Sequence, residues 1–308
     1  MRCSRRSHPD GTIRGVRLRY PSHRSAAALL TLAVAPVAVG LTACSPATPE
    51  PDAGLRQLSA DLRALDASGA VNGSGIFADQ AKLVDAEVLR ACGTKDGEPP
   101  ADCATPLRAP AESPDVDDVR ADMVTLIGDG SADRAVLLTG LHAALATVED
   151  TDAGGPAVDD DVLDAGFGGA GDKADVGALS RATDLVDQAV YLTGVVLPVA
   201  GDSADTVATV GTRLRSLRDA VGGASGVTAA PGYTFSDGQS APTDTDSGLN
   251  TLLQAVHDVT VELRRAVGSV DEGDRATTAM WAAVSARCEA ALEDQLGDSP
   301  LEVTVRGQ

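Results

Sequence analysis

Apolar residues recur every three or four positions along most of this chain, the spacing that lines one face of a helix. Leu55, Leu58, Leu62 and Leu65 open the series, and Ser68-Gly69 ends it. A second helix is predicted from about Ile76 to Arg90, with Leu83, Val84, Val88 and Leu89 inward and Cys92-Gly93 closing it. Val116, Val119, Met123 and Leu126 mark a third, stopped by Gly128-Asp129-Gly130. Ser131 is placed to cap a fourth, which turns Leu137, Leu138, Leu141, Leu145 and Val148 toward a core.

The second half keeps the step more strictly. Val176, Leu179, Thr183, Val186, Val190, Thr193 and Leu197 form one stripe, and Val207, Val210, Leu214, Leu217 and Val221 another. Leu249, Leu252, Val256, Val259 and Leu263 form a third. A last helix, from about Asp274 to Leu296, turns Met280 or Trp281, Val284, Cys288 and Leu292 inward. Three helices start alike, at Asp172, Asp202 and Asp271, each with a second acid three residues on; such acids suit an N-cap and the helix dipole. Leu301 to Arg306 alternates, as a terminal strand would, or an extended tail.

Loops separate these runs. Residues 93–114 and 149–171 are rich in Gly, Asp or Pro, and residues 222–247 form a long Gly/Ser/Pro-rich connection carrying Tyr233 and Phe235. A connection of that length is either functional or flexible, so Tyr233 and Phe235 are candidate partner contacts. The pattern predicts an all-α fold, an antiparallel bundle of about seven to eight helices with long Gly/Pro/Asp-rich loops. Residues 55–150 are the N-terminal helical part, 172–297 the C-terminal bundle packed with it as one domain, and 298–308 a tail.

The first 43 residues do not fit this scheme. Seven arginines and one acid, Asp10, precede a charge-free run from Ser25 to Gly40. That run is shorter than the roughly 20 apolar residues of a membrane span and suits a secretory signal. Leu41-Thr42-Ala43-Cys44 closes it. This tetrapeptide, with its basic and apolar flanks, resembles the lipobox of bacterial lipoproteins. The resemblance implies that residues 1–43 are removed and that Cys44 carries a diacylglyceryl group and fatty acyl chains. It places the protein on the extracytoplasmic face of the cell membrane, anchored by lipid, with the membrane as one partner. Residues 44–54 then form a tether, stiffened by Pro46, Pro49 and Pro51.

Removing the signal sharpens the charge. The whole chain has 25 basic and 45 acidic residues. Taking away seven and one leaves 18 against 44, a net charge of −26 on residues 44–308. Such a surface repels nucleic acid and anionic lipid head groups, so no nucleic-acid partner is expected. Few aromatics remain for a core or for sugar-stacking platforms, and Leu, Val and Ala must fill the interior. The Ala-, Gly-, Val- and Asp-rich composition resembles that of actinobacterial proteins.

Three cysteines lie beyond Cys44. Cys92 and Cys103 bracket a Pro/Gly loop and are the expected disulfide of an exported protein. Cys288 falls on the apolar face of its helix, as a buried thiol or as the partner in a rival pairing with either of the other two. His142 and His257 sit mid-helix outside any His-Glu-x-x-His or Glu-x-x-His pattern, so neither metal nor cofactor is expected. No Gly-x-Ser-x-Gly or P-loop occurs. Asp150 to Asp161 matches a calcium loop only at its start, with Asp where a bidentate Glu is usual, and reads as an acidic loop. Asp115 to Asp118 reads as a helix cap, and Arg213, Arg215 and Arg218 as partners for neighbouring acids.

These observations favour a non-enzymatic binding or scaffolding module of the cell envelope, with an envelope protein as its candidate partner. The alternatives are a small-molecule or metal-binding accessory to an envelope transporter and, third, an atypical hydrolase. The anchor itself is testable. Cys44→Ala is expected to abolish incorporation of labelled fatty acid and release the chain from the membrane fraction; an unlipidated but still membrane-bound variant contradicts it.

Overall fold

The structure, a computed structural model, describes residues 51–71, 75–94, 98–101, 103, 109–111, 114–148, 173–227, 233 and 240–308, with side chains from 176 in the stretch that begins at 173. Cys44, Phe235 and the acidic segment 150–161 lie outside the described residues. Residues 48–308 form one compact unit.

Eight α-helices occur among the described residues, and no β-strand: α1 Ala53–Ser68, α2 Ile76–Cys92, α3 Val116–Asp129, α4 Ala132–Leu145, α5 Lys173–Val196, α6 Ala204–Ser225, α7 Thr245–Val267 and α8 Glu272–Leu296. The fold is the predicted all-α bundle. Local chemistry explains the boundaries. Asp52 accepts from the amides of Gly54 and Leu55 at 2.9 and 3.1 Å and starts α1. Gly69, at φ 70°, ends it in the left-handed conformation that Gly adopts without a Cβ clash. Asp115 and Ser131 cap α3 and α4 as expected. Asp244 and Ser247 form a reciprocal capping box at α7. The shared-acid rule fails at α6. Two 3-10 turns, Leu197–Val199 and Gly201–Ser203, reverse the chain after α5, so Asp202 falls inside the second turn and Ser203 is the N-cap.

Helices α5 to α8 make a four-helix bundle with its own apolar core. Gly211 lies against Thr193, and Gly222 against Thr183, so α6 runs antiparallel to α5. Gly248 lies against Val196, and Arg181 pairs with Glu262, so α7 also runs antiparallel to α5. It follows that α6 and α7 are parallel. The long connection between Ser225 and Asp244 exists to carry the chain back along the bundle to the end where α6 began.

Helices α1 to α4 hold a second core. Arg63 and Ser59 of α1 meet Asp85 of α2, and Arg134 of α4 binds Asp52 at 2.7 Å, tying the start of α1 to the start of α4. Val267 of α7 and Ala279 of α8 belong to this core too, so the two halves share helices rather than meet across a polar seam.

Helix α8 is where they join. Its residues 281–290, Trp-Ala-Ala-Val-Ser-Ala-Arg-Cys-Glu-Ala, are all buried. It packs against α3, α4, α6 and α7. A helix enclosed on every side has no polar face, and its alanines let four neighbours approach closely. Only Trp281 of the pair Met280 and Trp281 is fully inward, at 1 % exposure.

The enclosure buries two charges. Arg287 donates from Nε to the Ala146 carbonyl at 3.0 Å, satisfying an orphan acceptor at the end of α4. Glu289 is met by Arg306 at 3.0 Å. Arg306 also reaches Glu293 at 2.6 Å and the Pro300 carbonyl at 3.1 Å. Residues 298–308 are therefore not a trailing tail, and no strand forms. Pro300–Glu302 is a 3-10 turn, and the chain beyond it folds back into the body. There the Arg306 amide bonds the Gly140 carbonyl at 3.0 Å, Gln80 donates to the Thr304 carbonyl at 3.1 Å, and Arg264 to the Gly307 carbonyl at 2.7 Å. Gly140 permits this approach: a Cβ there would stand 2.6 Å from the Val305 side chain.

Three apolar residues assigned inward are exposed. Leu89 lies one step past Val88, off the face set by Phe77, Ala81 and Val84. Val176 and Leu197 end the α5 stripe beyond its packing partners, with Leu197 turned out where Pro198 enters a 3-10 turn. Removing the buried counter-ion tests the central role of the C-terminal segment. Arg306→Ala should cost about 3–5 kcal/mol, because it strands two carboxylates, and urea unfolding measures it.

Candidate functional site

The expected disulfide is present. Cys92 and Cys103 are bonded with their Cα atoms 6.4 Å apart, clipping the end of α2 to the loop that follows. Arg56 of α1 reaches the Cys103 carbonyl at 3.5 Å, and buried Asp61 accepts the Ala111 amide at 2.6 Å, so this loop is held along α1. Cys288 is fully buried on α8 and takes no part in the bridge.

The histidines lie in opposite environments. His142, on α4, is buried with its Nδ1 unpaired. Burial, aided by the nearby Arg120 and Arg287 charges, pushes its pKa down to about 3. The neutral ring is a core group. His257, on α7, is about a third exposed, with Nδ1 3.6 Å from the Glu289 carboxylate. The hydrogen bond to Glu289 raises its pKa, against a smaller opposing effect of burial. Its partners are Glu289 and the Gln308 backbone. Among the described residues, no three His, Cys, Asp or Glu side chains gather as metal ligands.

The remaining feature is a surface. Tyr191, near the end of α5, is 42 % exposed, and Leu197, at the turn beyond it, is 43 % exposed. Tyr233, from the connection flagged in the sequence, packs on Tyr191 with ring centroids 5.7 Å apart and planes tilted by 57°. Tyr233 thus covers part of the end of α5 while Tyr191 and Leu197 stay open to solvent. Pro198 is exposed beside them. Val199 holds the turn to the start of α7, its carbonyl accepting the Thr245 hydroxyl at 2.9 Å. The periodicity had assigned Leu197 inward, and only the 3-10 turn at Pro198 places it outside.

No known protein family, curated protein or solved structure matches this chain. No helix of the described residues is long and apolar enough to cross a membrane.

The two histidines predict opposite pH responses. Below His142's unfolded pKa of about 6.5 the unfolded chain takes up a proton that the folded protein refuses until about pH 3. Stability is therefore lost as pH falls through this window, by up to about 1.4 kcal/mol per pH unit from this group. His142→Leu should flatten that slope in urea midpoints. His257, raised, contributes stability that is complete below about pH 6.5 and lost as pH rises through its folded value. His257→Gln should therefore weaken the protein at acid pH and converge on the wild type as pH rises above that folded value.

Proposed function

We propose that this chain is an envelope lipoprotein, held to the membrane through Cys44, that acts as a non-enzymatic binding module for a protein partner. The observation that carries the reading is the open apolar surface at the end of α5. Only four large apolar side chains are exposed among the described residues, and two of them, Tyr191 and Leu197, stand there. An aromatic ring and a leucine held out by a proline turn are the kind of anchors that protein interfaces use.

Of the two histidines among the described residues, only His257 is accessible to solvent. His257 is engaged by a buried carboxylate, and His142 is enclosed and neutral. Position in the fold adds to the binding reading. Asp52 and Arg134 place the start of α1 beside the start of α4, and Gly268 lies against Val136, so the C-terminal end of α7 is there too. The α5–α6 turn meets the opposite end of α7. That helix has 23 residues and is roughly 35 Å long. The start of α1 and the α5–α6 turn therefore lie at opposite ends of α7.

Capture from solubilised envelopes tests the reading. The lipidated wild type is expected to retain a partner that Leu197→Asp loses by roughly tenfold or more, whereas Leu89→Asp, an exposed leucine on α2, retains it. Equal retention by both variants, or no reproducible partner, overturns the proposal.

A further inference from the structure

Resting on that reading, we propose that the end of the bundle formed by the α5–α6 turn and the start of α7 is the docking surface, and that its partner is a basic segment bearing an apolar side chain.

The apolar element is exposed Leu197 with exposed Pro198 at the turn, and exposed Tyr191 lies about 9 Å back along α5. The chemistry around it selects the partner. Asp202 and Asp205 follow the turn into α6, and Asp244 and Asp246 lead α7; all four are exposed. The Thr245 hydroxyl on the Val199 carbonyl joins the two segments, and a Cβ on Gly201 would meet that same hydroxyl at 3.1 Å, so the four acids stand at one end of the molecule. Cations are missing from every segment that builds this end. No lysine or arginine occurs from residue 182 to 212 or from 219 to 263. Along α8, which runs toward the same end, none occurs from 288 to 305, and Arg306 is enclosed by Glu289 and Glu293.

The nearest arginines on α6 do not dilute this charge. Arg218 lies well down the helix, where it pairs with Asp219 at 2.7 Å. Arg213 and Arg215 lie between it and the turn, more than two helical turns beyond Asp205. The field at the turn is thus of one sign, and the apolar side chains stand inside it. An acidic partner would meet repulsion at contact. A neutral apolar partner would bury leucine but leave the carboxylates to be desolvated without compensation. A basic segment satisfies both groups, gaining on-rate from the charge and residence time from the buried Leu197. Anionic membrane head groups are excluded as occupants by the same charge.

The test uses the mature lipidated protein in uncharged detergent and a pair of short fluorescent peptides, one of lysine and leucine, the other of glutamate and leucine with the same leucine positions. The lysine peptide is expected to bind, more weakly as salt rises, and the glutamate peptide to bind at least roughly tenfold more weakly. Leu197→Ser, and separately Asp202→Asn with Asp205→Asn, should each weaken the lysine peptide by roughly fivefold or more. Asp129→Asn with Glu272→Gln removes the same charge at the opposite end and should leave binding within about twofold. Equal losses in the two charge-neutralised proteins overturn the docking surface, because binding then follows net charge alone. Failure of the lysine peptide to bind, or equal binding of the two peptides, overturns the basic partner. If envelope capture still depends on Leu197 in that case, the binding-module reading stands and only the partner chemistry falls.

Discussion

Everything in this protein depends on helix α8 being enclosed on all sides. Ten consecutive residues are buried, and two of them are charged. A charge taken out of water must find a partner or it destabilises the fold. Arg287 finds the open carbonyl end of α4. Glu289 finds Arg306, and to do so the chain beyond α8 has to reverse and thread between α4 and α7. The requirement to neutralise one carboxylate thus gives the last residues a defined place, and with them the contacts that join α2 and α4 to α7 and α8.

The same helix makes one unit of two cores. Residues of α5 to α8 fill one, and those of α1 to α4 fill the other with help from Val267 and Ala279. Because α6 and α7 are parallel, the connection between them has to return along the bundle. That connection supplies Tyr233, which packs on Tyr191 at the end of α5. The open apolar group and the acids around it are consequences of how the chain is routed, and the routing separates them from the end where α1 begins.

Much of the fold was legible because its signals are local. Seven of the apolar stripes need only the 3.6-residue period, and the caps at Asp115 and Ser131 need only a side-chain oxygen within reach of an amide. The disulfide was legible because a short Pro/Gly loop leaves its two ends close. Local rules failed where a neighbour decides. Asp202 has the spacing of a cap but lies in a turn tightened by Gly201, and Leu89 and Leu197 have the residue type of a core but no helix opposite them. The candidate surface was half legible. Tyr233 was singled out by the length of its loop, while its contact with Tyr191 and the exposure of Leu197 needed the packed bundle.

The sequence by itself determined the helical class, the positions of the helices and the acidity of the chain, because period, capping and charge are properties of short stretches. It also carried the lipobox-like Leu41-Thr42-Ala43-Cys44. Only the tertiary structure decided that α8 is central, that Arg306 is a buried counter-ion, and that α6 and α7 run the same way. Each of those depends on which helices lie next to one another, a relation between residues more than a hundred positions apart in Arg287 and Ala146, which no window of the sequence contains.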